Sequence, residues 1–119
     1  MPSEHDDVQA MLPLPPATFH ILLALANEVR HGYAIIQDVE ASTNGDLRLS
    51  AGTLYRSVAR MVEQGLIAEV VKRRTVADDE RRRYYRITPF GTAVARAEMR
   101  RLTDLVRLAH ASGLKARTV

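Results

Sequence analysis

The chain contains no cysteine and no tryptophan, and aromatic residues make up only 5% of its 119 residues. Without cysteine it has no disulfide bond, no thiolate zinc site and no cysteine nucleophile. No apolar run reaches the roughly 18 residues of a membrane-spanning helix, and no leader-like segment opens the chain. Apolar residues account for 46% of the chain, which is typical of a globular domain. We therefore expect a soluble, cytoplasmic protein with no membrane partner.

Side chains suited to catalysis are few and scattered. The chain has no glycine-rich phosphate loop, and its four histidines lie far apart in the sequence, at His5, His20, His31 and His110. No pair of nucleophile and base can be assembled from these residues. The adjacent carboxylates of residues 78–80 are typical of a solvated turn rather than a metal site. We therefore expect neither an enzyme nor a protein that needs a metal ion or another cofactor.

Basic charge is concentrated in one part of the chain. Lysine and arginine number 17 against 14 acidic residues, for a net charge of +3, and fifteen of the 17 are arginine. Arginine stays charged, and its planar guanidinium matches phosphate groups and guanine edges. Residues 72–86 alone carry seven basic residues against three acidic ones. This cluster favours a polyanionic partner, although a solvated hairpin would explain the charge equally well.

The apolar spacing predicts a mostly α-helical fold with a small β-hairpin. We expect helices over 17–29, 33–42, 50–64 and 89–111, a short strand over 47–49, and hairpin strands over 67–72 and 84–88. Ser50 and Thr88 are the expected N-caps of the third and last helices, and Asn44-Gly45 the stop of the second. Three helices followed by a hairpin form the plan of a winged helix-turn-helix.

This plan divides the chain into four parts. We expect a flexible acidic N-terminal arm, a winged helix-turn-helix domain, one C-terminal dimerisation helix and a basic tail, over residues 1–13, 14–88, 89–112 and 113–119. In a helix-turn-helix protein the last helix of the motif enters the DNA major groove. The hairpin, or wing, would meet the DNA backbone nearby.

The third helix has two different faces. At 100° per residue its apolar positions fall together and predict a core face of Leu54, Val58, Met61 and Val62. The outward face is small, polar and basic, with Thr53, Arg56 and Arg60. Such a face suits a groove about 12 Å wide, although an ordinary surface helix with two arginines would have the same pattern.

Two basic triplets, Lys72-Arg73-Arg74 and Arg81-Arg82-Arg83, face each other across the predicted hairpin. Like charges directly opposite each other are destabilising, so the arrangement calls for an anion or for screening by the acidic residues at the tip. The side chains of Tyr84 and Tyr85 alternate along the strand. We expect one tyrosine to pack inward and the other to stay near the surface.

Several motifs together resemble the PadR family of bacterial transcriptional regulators. The resemblance rests on His31-Gly32-Tyr33, on the run from Leu49 to Arg56 that contains Gly-Thr-Leu-Tyr, on Met61–Ile67, and on Arg83–Thr88 followed by Gly91. It extends from about Leu14 to Leu108.

The resemblance implies a homodimeric regulator, usually a repressor, that binds a palindromic DNA operator and is in some cases released by a small-molecule effector. The family's recognition-helix positions fall on Ser50, Thr53, Tyr55, Arg56 and Arg60. Its wing positions fall on the basic residues Lys72, Arg73, Arg74, Arg81, Arg82 and Arg83. Some members hold flat aromatic drugs between tryptophans at the dimer interface, and this chain, without tryptophan, does not carry that pocket.

The predicted C-terminal helix carries an apolar arc too wide for one small domain to cover. Along this arc, apolar residues recur at alternating intervals of four and three residues, which is typical of paired helices. The spacing predicts a dimer interface of Ala95, Met99, Leu102, Leu105, Val106 and Ala109. Glu98 and Arg101 interrupt the arc at a spacing that allows an ion pair. The alternative, a monomer, would expose an apolar patch large enough to aggregate.

One further alternative is a winged domain that contacts protein or RNA. A protein-binding helix should carry aromatic or aliphatic anchors on its outward face, whereas the third helix offers mainly arginine, threonine and serine. Binding to RNA would favour exposed aromatic rings for base stacking, and only Tyr55 and one of Tyr84 and Tyr85 qualify. Both alternatives are less favoured than DNA binding but stay open.

Overall fold

A computed structural model describes residues 3–70 and 83–114 of the chain. The described residues form five helices and three short strands, in the order α1 (Glu4–Ala10), α2 (Pro16–Leu25), β1 (Arg30–His31), α3 (Gly32–Ser42), α4 (Ala51–Glu63), β2 (Ile67–Val70), β3 (Tyr84–Ile87) and α5 (Pro89–Ala111). The predicted class, mostly helical with a small antiparallel sheet, is confirmed. Helices α3 and α4 are the helix-turn-helix pair, and β2 and β3 form the base of the wing.

The sheet has three strands rather than the two of the predicted hairpin. Its order is β1-β3-β2 and both pairings are antiparallel, with Arg30 opposite Tyr85 and Ile67 opposite Ile87. The prediction of a strand over 47–49 is wrong, because these residues belong to the irregular connection between α3 and α4. There the backbone N–H of Leu47 donates to the Thr43 hydroxyl (3.0 Å). This hydrogen bond to a side chain takes the place of a backbone hydrogen bond to a neighbouring strand.

The prediction of a flexible arm over residues 1–13 is wrong for Glu4–Ala10, because these residues form helix α1. Ser3 and Asp6 cap its start reciprocally, and its first turn is acidic, which the helix dipole favours. Val8 is buried and α1 packs against α5. A short segment with one apolar anchor therefore becomes helical because a distant part of the chain covers it.

The core lies between α2, α3, α4 and the start of α5. Helix α2 supplies four buried residues but ends at Leu25, earlier than the predicted Val29, and Leu23 is exposed. The guanidinium of Arg30 donates to the carbonyl of Ala24 (2.7 Å) and satisfies the end of the helix. The largest fully buried side chains are Ile21, Leu22, Leu25, Ile35, Leu54, Met61, Leu66, Ile67, Glu98, Val39 and Val94.

Two predictions about individual side chains are wrong. Both Tyr84 and Tyr85 are buried, because β3 is the central strand and the ring of His31 packs edge-on against Tyr84, at 5.6 Å between ring centres. Val62 was expected in the core, yet it is 40% exposed at the border of the apolar face of α4. The other three core residues predicted for this helix are buried.

Helix α5 begins as predicted, with Thr88 as its cap. The Thr88 hydroxyl accepts from the Gly91 N–H (2.9 Å), and its side chain and backbone N–H both donate to the carbonyl of Leu66, at 3.0 and 3.1 Å. These bonds fix the start of α5 against the end of α4. The long helix therefore leaves the domain in a defined direction.

A buried carboxylate ties the N-terminal segment to α5. Glu98 is only 2% exposed, accepts from the backbone N–H of Leu14 at 2.7 Å, and pairs with Arg101 as predicted. The Arg101 hydrogen bond, helped by the Leu14 N–H, holds the pKa of Glu98 below its ordinary value, although burial acts in the opposite direction.

Candidate nucleic-acid interface

Helix α4 is held rigidly at its N-terminus and along its inner face. The Ser50 hydroxyl accepts from the Thr53 N–H (3.1 Å) and bonds the Thr53 hydroxyl (3.0 Å). Leu54, Val58 and Met61 are buried against the core. The outward face of α4 is consequently presented in one fixed orientation.

The five predicted recognition-helix residues lie at the start of α4 and on its sides away from the core. Ser50, Tyr55, Arg56 and Arg60 are exposed, and Thr53 is half-buried. Within residues 3–70 and 83–114, the hydrogen bond of the Arg56 side chain is a long contact of 3.5 Å with the Thr53 hydroxyl. Among the described residues no carboxylate pairs with Arg56 or Arg60. Both guanidiniums therefore keep their charge and their donors for another molecule.

Tyr55 has a structural contact that the sequence reasoning missed. A Cβ atom on Gly32 would lie 2.8 Å from the Tyr55 hydroxyl oxygen and 3.1 Å from Cζ, so the ring lies directly over Gly32 at the start of α3. The ring is nevertheless 50% exposed. Tyr55 thus joins the two helices of the motif, and the signal for this contact was the glycine between His31 and Tyr33.

Of the six predicted wing residues, the structure describes only Arg83. Lys72, Arg73, Arg74, Arg81 and Arg82 lie outside the described residues. Arg83 is exposed immediately before β3, and its Nε lies 3.8 Å from a carboxylate oxygen of Glu69. A solvated pair at this distance contributes little to stability, so Arg83 remains able to pair with a phosphate.

The outward face of α4 forms one wall of a cleft of about 410 Å³. The opposite wall is the segment from the end of α1 to the start of α2. The cleft is lined by Ala10, Met11, Leu14, Pro15, Ala17, Thr18, Thr53, Arg56, Ser57, Arg60 and Gln64. No motif marks this cleft, because its two walls lie about forty residues apart in sequence.

The predicted dimer residues fall into two groups. Met99, Leu102, Leu105 and Val106 are exposed by 59, 38, 48 and 55%. Ala95 and Ala109 are half-buried, and Ala95 packs against the core of its own chain. The apolar stripe therefore lies mainly on the part of α5 that extends beyond the domain.

Comparison with known proteins identifies the family. The sequence model of the Transcriptional regulator PadR-like family matches residues 21–97, well over half of the chain, including all of α3 and α4. The chain belongs to the PadR-like family. Transcriptional regulator Rv3488 of Mycobacterium tuberculosis is 39% identical over 88 residues, which cover 74% of this chain and 77% of the relative. The predicted resemblance is therefore confirmed.

Solved structures of PadR-like proteins have the same fold. A PadR-like transcription factor from Bacteroides fragilis superposes with a TM-score of 0.69 at 22% identity, covering 89% of this chain and 98% of the other. The Bacillus subtilis PadR, solved in complex with operator DNA, superposes with a TM-score of 0.59 at 15% identity, covering 69% of this chain and 46% of that protein.

The PadR-like family consists of transcriptional regulators, which confirms the prediction that the chain is not an enzyme. Across residues 3–70 and 83–114, no group of three or more histidine or acidic side chains is placed to hold a metal ion. None of the helices within the same ranges is both long enough and apolar enough to span a membrane.

Proposed function

We propose that this PadR-like regulator binds double-stranded DNA through α4 and represses transcription as a homodimer on a palindromic operator. The observation that carries the proposal is the outward face of α4, where Arg56 and Arg60 lie one turn apart, exposed and unpaired with any described carboxylate. A guanidinium in the major groove can donate two hydrogen bonds to O6 and N7 of a guanine.

The start of α4 would contact the DNA backbone. The Ser50 and Thr53 hydroxyls lie at the first turn, beside backbone N–H groups at the positive end of the helix dipole. Small side chains there allow a close approach to the duplex. Tyr55, already packed over Gly32, would contact the backbone with its exposed edge while keeping α3 and α4 at a fixed angle.

The wing would add contacts that do not depend on base sequence. The wing residues follow β2 or precede β3 in the sequence, and β2 ends on the side of the sheet where β3 begins. They are Lys72, Arg73, Arg74, Arg81, Arg82 and Arg83. Neutralising phosphates with these side chains would release counterions and make binding strongly dependent on salt.

A second copy of the chain would cover the apolar stripe of α5. Met99, Leu102, Leu105 and Val106 are too exposed for an isolated domain, and their spacing suits packing against an equivalent helix. Ala95 and Ala109 would border the contact. Two-fold symmetry would separate the two α4 helices by about 34–36 Å, or a multiple of it, which corresponds to half-sites whole turns apart.

Footprinting of purified protein on genomic DNA would identify the operator and test the proposal. We expect an inverted repeat whose halves are separated by whole helical turns. Fluorescence anisotropy with that operator should then show weaker binding by Arg60→Ala. Arg107→Ala on α5, which also removes an exposed arginine, should bind as the wild type does. A protein that protects no site, or protects DNA without sequence preference, would refute the proposal.

A further inference from the structure

We propose that Arg48, in the turn between α3 and α4, is a further contact to the DNA backbone, and that Glu40 competes with the DNA phosphate for it through an internal ion pair. The inference deepens the proposed function and rests on it. It adds a contact residue outside α4 and the wing. It also gives the helix-turn-helix pair an internal carboxylate that limits its affinity for DNA.

The backbone directs Arg48 to the same side as the start of α4. Leu47 is half-buried and Leu49 is buried, whereas Arg48 and Ser50 are exposed, so side chains alternate along these residues. Ser50 itself has an extended backbone, with φ −71° and ψ 158°. In an extended chain, residues two apart project to the same side. Arg48 therefore projects to the side of the Ser50 cap, which the proposed function places against the DNA backbone.

The turn holds this direction through the side chain of Thr43. The Thr43 hydroxyl donates to the carbonyl of Val39 at 2.8 Å and accepts from the N–H of Leu47 at 3.0 Å. Leu49, on the other side of Arg48, is anchored by burial in the core. The backbone at Arg48 is thus fixed on both sides, which reduces the entropy lost when its side chain binds an anion.

Glu40 partly neutralises Arg48 in the free protein. The Nε atom of Arg48 lies 3.4 Å from a carboxylate oxygen of Glu40, and the two side chains are 76% and 45% exposed. A pair this solvated is weak, because water and salt screen both charges. The Glu40 carboxylate also lies in the last turn of α3, where the negative end of the helix dipole disfavours an acidic residue. Arg48 can therefore exchange this carboxylate for another anion.

A DNA phosphate at Arg48 would meet the Glu40 carboxylate at close range. Two negative charges a few ångströms apart repel each other, so Glu40 has to turn away as the phosphate binds. Breaking the internal pair cancels part of the affinity that the arginine adds. The turn consequently contributes less to DNA binding than a free arginine would, and removal of the Glu40 charge should strengthen binding.

Glu40→Gln tests the competition, because it is expected to improve binding. In fluorescence anisotropy the variant should bind the footprinted operator more tightly, by up to about fivefold. The slope of log affinity against log salt concentration should become steeper by about one, because Arg48 then enters the complex as a free cation. Equal or weaker binding by Glu40→Gln would overturn the proposal.

Asp46→Asn is the matched control. It removes the same charge from the same turn, but Asp46 forms no ion pair with Arg48 among the described residues. Its salt slope should equal that of the wild type. If Asp46→Asn steepens the slope as much as Glu40→Gln does, the gain comes from net charge alone and the proposal fails.

Arg48→Gln shows whether Glu40 acts through Arg48. Alone it should weaken binding to the operator and to a scrambled duplex by the same factor, because a phosphate contact carries no base information. Its urea midpoint should stay close to that of the wild type, since the pair it removes is solvated. In the Arg48→Gln background, Glu40→Gln should no longer strengthen binding. A gain that persists without Arg48 would refute the competition.

Failure of this inference is distinguishable from failure of the proposed function. If the wild type binds no DNA at any salt concentration, the proposed function fails and the role of Arg48 fails with it. If the wild type binds the operator and Arg48→Gln binds it equally well, the role of Arg48 alone fails.

Discussion

Replacement of Gly91 by alanine should destabilise the protein, although alanine is favoured over glycine by about 0.5–1 kcal/mol inside helices. Gly91 lies in the first turn of α5, where a Cβ atom would be 2.0 Å from the carbonyl oxygen of Leu66 and 3.0 Å from Cγ1 of Ile87. Because the nearest atom belongs to the backbone, no side-chain rotation relieves the clash. The start of α5 must move away from Leu66.

The magnitude follows from what that movement breaks. Extra volume in a packed site costs about 1–3 kcal/mol. Moving α5 also weakens the hydrogen bonds from Thr88 to the Leu66 carbonyl, at 3.0 and 3.1 Å, which adds about 1 kcal/mol. After subtraction of the helix preference of alanine, we expect a net loss of about 2 kcal/mol in the free energy of unfolding.

Urea unfolding followed by circular dichroism measures this loss, at one fixed protomer concentration because the proposed dimer adds to stability. The midpoint should fall by about 1 M with little change in the slope. Gly52→Ala is the matched control, since a Cβ there would meet only Nη1 of Arg56, at 3.7 Å, and alanine should raise stability by up to about 1 kcal/mol. If Gly91→Ala unfolds at the wild-type urea concentration or above it, the contact between α5 and Leu66 does not limit packing as argued.

Three further outcomes are expected. Arg56→Ala should weaken operator binding by about 1–3 kcal/mol, measured by fluorescence anisotropy, and reduce the preference for one base. Arg82→Ala should instead weaken binding to all DNA sequences alike and lower the slope of log affinity against log salt concentration by about one. Val106→Asp should give monomers in light scattering, because it places a charge on the apolar stripe, and Ala111→Asp on the opposite side of α5 should not. Glu98→Gln should lower the urea midpoint at neutral pH. Because Arg101 and the Leu14 N–H hold the folded-state pKa of Glu98 below its ordinary value of 4.5, that stabilisation is present above this value and lost as the pH falls through the folded-state pKa. The difference between wild type and Glu98→Gln should therefore shrink in acid, and a difference that persists there would contradict the role given to the charge.

Helices α4 and α5 could be predicted closely because their signals are local. A capping side chain begins each of them, Ser50 and Thr88, and an apolar face repeats at helical spacing over several turns. The outward position of Arg56 and Arg60 follows from the same periodicity. Their placement opposite the core required no knowledge of the rest of the chain.

The elements that were missed depend on distant partners. Strand β1 has two residues, which carry no detectable alternation, and it exists because the edge of β3 is available to it. Helix α1 has Val8 as its one buried residue and is covered by α5. Burial of Tyr84 likewise comes from His31, more than fifty residues earlier. Local sequence patterns contain none of these contacts.

The same long-range contacts connect the candidate sites. Leu14 lines the cleft and is bonded through its backbone N–H to Glu98 of α5. Glu98 lies one residue before Met99, where the exposed apolar stripe of α5 begins. A substitution that displaced Leu14 would therefore also act on the helix proposed to join the two protomers.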